Sequence, residues 1–188
     1  IRSVEVLTGG VRAEYGGRIS AIVDIKTREG NKTRQAGMLS VSPFMAKAIL
    51  EGPISRFSDE SKGSTSYLVT AKKSFIDQTS EKLYQYALDE GADRLPFQFE
   101  DYYAKISTVS GNGSFLNAFG FSFNDDVSYS NLAALDWNAF GMGSNFKLVP
   151  ANSSLIIGGN VAYSKYAIEL NEVNEEPRYS ELKGLQAN

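Results

Sequence analysis

An all-β, antiparallel fold is predicted for this chain of 188 residues, and three observations predict it. Apolar and polar residues alternate with a period of two through much of residues 35–171, as they do where successive side chains point to opposite faces of a sheet. Tyr and Phe supply 10 and 11 residues and Gly 17, against 5 Pro and 1 Trp; that balance favours strands and tight turns over helices. Polar breaks recur between the alternating stretches, and one of them holds Asn112-Gly113, the strongest short hairpin signal.

In order along the chain, strands are expected at 35–42, 45–54, 65–75, 99–109, 114–127, 136–149 and 154–170, with 181–188 opening an eighth. Pro43-Phe44 reads as a tight reversal and 56–64 as a polar turn. Within the long break at 76–98, Thr79 to Asp89 has good helix formers and no Gly or Pro, and Gly91 can end it, so a short loop helix is expected there. The 110–113 and 150–153 breaks are tight, 128–135 is medium, and 172–178 is acidic.

Each strand divides its residues between two faces. Tyr102, Ala104 and Ile106 oppose Asp101, Tyr103, Lys105 and Ser107. Phe119, Phe121 and Phe123 oppose Gly120 and Ser122; Phe140, Met142 and Phe146 oppose Gly141, Gly143 and Asn145. A soluble sandwich and a membrane barrel both produce such alternation. Two details favour a barrel wall: several segments outrun the ~5–6 residues of a globular strand, and the polar face is rich in small residues, as a lumen wall can be. On that basis Phe119, Phe121, Phe123, Phe140, Phe146, Leu155, Ile157 and Val161 are expected to face lipid. Gly120, Ser122, Gly143 and Asn160 are expected to face the lumen. Barrels of this kind keep short turns on the periplasmic side and longer loops outside. The 56–64, 110–113 and 150–153 turns are therefore expected in the periplasm, and the 76–98, 128–135 and 172–178 loops outside.

Composition also excludes chemistry. The chain has no Cys and no His, so thiolate metal sites, disulfides and histidine acid–base catalysis are ruled out. A net charge of −3 and a pI near 5.1 do not suit nucleic acid. No enzymatic constellation stands out: Asp125-Asp126 and Glu175-Glu176 are adjacent acids, which on a strand point apart, and they read as rim or loop residues. No enzymatic activity and no cofactor are expected.

The first thirty residues carry a more particular pattern: Val4-Glu5-Val6-Leu7-Thr8-Gly9-Gly10, then Glu14-Tyr15-Gly16-Gly17-Arg18, then Ile22-Val23-Asp24-Ile25-Lys26-Thr27-Arg28-Glu29-Gly30. It resembles the C-terminal end of the plug domain of TonB-dependent outer-membrane receptors. Gly10 stands where many members have Pro, and Arg18-Ile19-Ser20 where many have small residues. Leu50-Glu51-Gly52-Pro53-Ile54 resembles the end of that family's second barrel strand. The chain opens already inside a strand-like run and reads as a piece of a longer protein.

The resemblance implies a plug end at 1–30 and, at 31–188, roughly the first seven strands of a large transmembrane β-barrel. The whole protein would then import a scarce or bulky solute across the outer membrane. Its partners would be the inner-membrane TonB complex, engaged through an N-terminal segment that this chain lacks, the imported solute, outer-membrane lipid and a surface lipoprotein, but no nucleic acid. The candidate site residues are Arg12, Glu14, Tyr15 and Arg18 on the Gly-flanked plug loop; they would touch substrate or lock the plug to barrel carboxylates. The alternatives are a β-structured surface or adhesion module and a soluble ligand-binding β-sandwich.

Overall fold

The computed structural model describes residues 1–8, 21–58, 62–88, 94–129, 132–151 and 154–188. Two sheets form. In the smaller, β1 (Ser3–Thr8) pairs antiparallel with β2 (Ala21–Lys26). The larger is an eight-stranded antiparallel meander of β3 (Ala36–Val41), β4 (Met45–Ser55), β5 (Gly63–Ser74), β6 (Phe97–Ser110), β7 (Phe115–Tyr129), β8 (Ala133–Leu148), β9 (Ile157–Glu172) and β10 (Arg178–Ala187). Every strand pairs with its sequence neighbours, and β3 and β10 form its two edges. The fold is all-β, as the period-two pattern predicts.

Local chemistry sets the turns. Gly113 sits at φ +85°, where an L side chain would be strained, and its N–H donates to the Ser110 carbonyl at 3.1 Å to close the β6–β7 reversal. Ser42 closes the β3–β4 turn: its N–H donates to the Met45 carbonyl at 2.9 Å, while its hydroxyl oxygen accepts the N–H groups of Phe44 and Met45. The break expected at 128–135 is shorter than its composition suggests, because β7 continues to Tyr129 and β8 begins at Ala133. In the other direction, β9 starts only at Ile157, so Leu155 lies in the preceding turn.

The loop helix is present but displaced. Helix α1 spans Ile76–Leu83, with a 3₁₀ turn at Gln85–Ala87, rather than Thr79–Asp89. Packing decides its start: Ile76 and Ser80, one turn apart, are buried. The Ser80 hydroxyl accepts the Leu95 N–H at 2.9 Å, Thr79 donates to the Pro43 carbonyl at 2.7 Å, and Tyr84 stacks on Phe44 with ring centres 5.0 Å apart. The helix thereby sits against the β3–β4 turn, at the sheet end where β7 ends, β8 begins and the 173–177 reversal lies.

Register corrects one expectation. Phe119 and Phe121 stand opposite Gly143 and Gly141 on β8, and Phe123 opposite Ala139. Directly opposed residues share a face, so the three phenylalanines lie on one face of the sheet, and Phe140, Met142 and Phe146 on the other. Gly120 and Ser122 fall beside Met142 and Phe140, away from Gly143 and Asn160. The physical reason is size complementarity. The Phe119 and Phe121 rings lie over Gly143 and Gly141, where a Cβ would collide with them. Asn117 seals the same register by donating to Asn145 at 2.8 Å. A shift of one residue would invert every side chain of β7, and neither strand's own sequence reports which parity is used.

Candidate functional site

The residues joining β2 to β3 identify the covered face of the large sheet. Tyr103 donates its hydroxyl to Thr27 Oγ1 at 2.7 Å, and the Lys105 ammonium donates to the Thr27 carbonyl and hydroxyl at 3.2 Å each. Arg28 donates to Glu51 Oε2 at 2.7 Å, and the Asn31 N–H reaches the same oxygen at 3.1 Å. Gly30 runs so close to the β5 backbone at Tyr67 that a Cβ would overlap its carbonyl. On this face Leu68, Lys105, Ser66 and Ser107 are buried, whereas Tyr102, Ala104 and Ile106, alternating with them on β6, are exposed. The split expected for Tyr102 and Tyr103 is therefore present: one phenol lies on each face.

Chemically, these contacts are a latch. A buried ammonium needs partners to offset its desolvation, and Lys105 takes two oxygens from Thr27. Glu51 has both a guanidinium and a backbone N–H, the charge-assisted arrangement that holds a carboxylate in place. Further along the covered face the wall turns aromatic: Phe121 and Phe123 stack at 4.9 Å, and Lys72 pairs with Asp101 and lies 4.8 Å above the Phe99 ring. Among the described residues no group of three or more acidic side chains could hold a metal ion.

Arg12, Glu14, Tyr15 and Arg18, the site candidates from the sequence, lie outside the described residues. Among the described residues, Thr27, Arg28 and Asn31 join the N-terminal segment to the large sheet through Glu51, Tyr103 and Lys105. A signal for Lys105 was available. It is a lone cation in a run whose other face holds Tyr102, Ala104 and Ile106, so its face needed to be polar or occupied. Glu51, inside the Leu-Glu-Gly-Pro-Ile stretch, offered no such contrast.

Among the described residues nothing covers the opposite face of the sheet, and it has its own gradient. Toward the end where β4, β6 and β8 finish it is apolar. Register rows there include Val69–Ala104–Gly120–Met142–Tyr163–Leu185 and Ile106–Ala118–Ser144–Val161–Ala187. Met142 is 52% exposed and Leu185 77%. Toward the end carrying α1 the same face turns polar: Lys73, Glu100, Asn124, Asn138 and Glu181, then Gln98, Asp126, Asp136 and Glu169. Lys73 pairs with Glu100 there. No protein-family model, curated protein or solved structure matches the chain.

Proposed function

We propose that the chain is part of a plugged outer-membrane β-barrel receptor of the TonB-dependent type, its large sheet forming barrel wall and its N-terminal strands the end of the plug. One observation carries this reading: a bare apolar belt on one face of the sheet, bounded on that same face by a charged zone at the α1 end. Monomers in water do not leave so many adjacent large apolar side chains exposed, whereas a barrel's outer wall carries an apolar band about 25 Å tall. On β8 the belt runs from Phe140 to Leu148. Eight steps at ~3.3 Å give about 26 Å along the strand, or about 20 Å of height at the ~40° tilt of such barrels.

Strand length supports the same reading. β8 and β9 have 16 residues each, more than the ~9–11 that cross a bilayer. The excess matches the charged zone, which would stand clear of the membrane on the side of the long 75–96 connection, the extracellular side. No helix among the described residues is long and apolar enough to cross a membrane, and strands would do the crossing. The covered face fits a lumen wall latched to the plug through Thr27 and Arg28. The unpaired edges β3 and β10 would join the remaining strands of the barrel, because open edges are not tolerated in lipid. The sandwich alternative lacks support in the described residues, where no second sheet covers the apolar face.

Single cysteines in the full-length chain test the wall. At Ala104, Met142 and Val161 a lipid-soluble maleimide should react, and at Thr70 and Asn145 a water-soluble one. Equal labelling of both sets by both reagents would refute a membrane wall. Transport is tested by comparing solute depletion from the medium by cells with and without the chain. Depletion that persists when the inner-membrane proton gradient is collapsed would refute energised import.

A further inference from the structure

Asn112 is the only asparagine of the chain that precedes a glycine, and it lies exposed in the reversal between β6 and β7. That pair is chemically weak. Gly113 has no Cβ to obstruct its backbone nitrogen, which can attack the Asn112 carboxamide carbon. The nitrogen gives up its proton, the side-chain nitrogen leaves as ammonia, and a succinimide ring closes. One water then opens either ring carbonyl. The product is aspartate or isoaspartate, in which the main chain runs through the side-chain carbon.

In the folded chain the groups that this reaction needs are engaged. Asn112 Nδ2 donates to the Val149 carbonyl at 2.9 Å, and Asn112 Oδ1 accepts the Ser114 N–H at 3.0 Å. The attacking nitrogen is held as well, because the Gly113 N–H donates to the Ser110 carbonyl at 3.1 Å. Val149 is fixed in its turn by donating its N–H to Ser114 Oγ at 2.9 Å. It follows directly on β8, so the amide is clamped only once β7 and β8 have paired to their ends, where Phe115 stands opposite Lys147.

We propose that Asn112 is a self-modification site gated by strand pairing, shut while β7 and β8 are zipped together and open in a chain that has not folded. Conversion then marks the chain. An aspartate has no donor for the Val149 carbonyl and sets its charge against that oxygen. An isoaspartate adds a carbon to the main chain of a reversal whose Gly113 already sits at φ +85°. Either product opposes the pairing that shuts the gate, and chemical change of the unfolded chain is one way in which unfolding becomes irreversible. The site stands whether or not the sheet is a membrane wall, since the clamp lies within the turn and the end of β8.

The test compares the full-length protein, folded as purified, with the same protein held unfolded in guanidinium, both in mildly alkaline buffer made with heavy-oxygen water. Peptide mass spectrometry reads residue 112. The unfolded chain should convert Asn112 to aspartate and isoaspartate carrying one solvent oxygen. The folded chain should convert about thirtyfold more slowly, the factor for first breaking two side-chain hydrogen bonds of ordinary net strength. Asn112→Gln should suppress conversion in both states, since its larger ring closes poorly. Ser114→Ala frees the Val149 N–H and leaves the reacting atoms alone; it should raise the folded rate severalfold and leave the unfolded rate unchanged. Equal rates in the folded and unfolded protein, or product without solvent oxygen, would overturn the proposal. So would a folded rate that Ser114→Ala leaves unmoved. Converted chains diluted out of guanidinium should refold in lower yield than fresh ones, and equal yields would overturn the marking role.

Discussion

Met142→Arg separates a membrane wall from every soluble reading. Met142 lies on the bare face of β8, flanked by Gly120 and Tyr163. Along its strand the belt ends at Phe140, two residues one way, and at Leu148, six the other, so it sits inside the belt, nearer its α1-end edge than its midplane. An Arg on a barrel's lipid face costs ~2–4 kcal/mol at the midplane and ~0–1 near the interfaces, so at Met142, between the two, the cost should be ~1–3 kcal/mol, or between ~5-fold and ~150-fold in the folding equilibrium. The matched control is Asp136→Arg, on the same strand and face but in the charged zone, opposite Asp126 and Glu169. There an Arg meets two carboxylates and solvent, and the change should stay within ~1 kcal/mol. Guanidinium titration of the full-length chain folded into phospholipid vesicles, followed by the fluorescence of Trp137, measures both. Equal costs at the two positions, or none at Met142, would refute the argument, because depth is the only difference it relies on.

An epitope inserted at Gln85 should stain on intact cells and one at Asn112 only after permeabilisation; the reverse pattern would invert the proposed orientation. Removing Arg28 and Glu51 singly and together should reveal a coupling below ~1 kcal/mol in a double-mutant cycle, because Arg28 is 42% exposed and solvent screens the pair. Gly143→Val should cost ~1–3 kcal/mol by overpacking: a Cβ there would lie 2.9 Å from the Phe119 ring and 3.0 Å from the Val161 carbonyl. Pairing it with Phe119→Ala should recover only part of that loss in the same titration, since the carbonyl contact remains.

The sequence by itself determined the strand pattern. Alternation and the Asn112-Gly113 turn placed the eight strands of the large sheet to within a few residues, because a residue's own side chain decides whether it can sit on a half-buried pleat. It also told which residues of one strand share a face, as with Tyr102, Ala104 and Ile106 against Tyr103 and Lys105. What it could not tell was which face of β7 matches which face of β8. That parity depends on how the β7–β8 reversal aligns the two strands and on Phe119 and Phe121 finding room over Gly143 and Gly141. Only the tertiary structure decided that three phenylalanines chosen for the lipid face belong on the latch face. It likewise decided that Lys105 and Glu51 hold Thr27 and Arg28, and that α1 begins at Ile76, where a buried turn against Pro43 and Phe44 outweighs local helix propensity. Each of these rests on contacts between residues far apart in the chain, whose energies a local pattern does not contain.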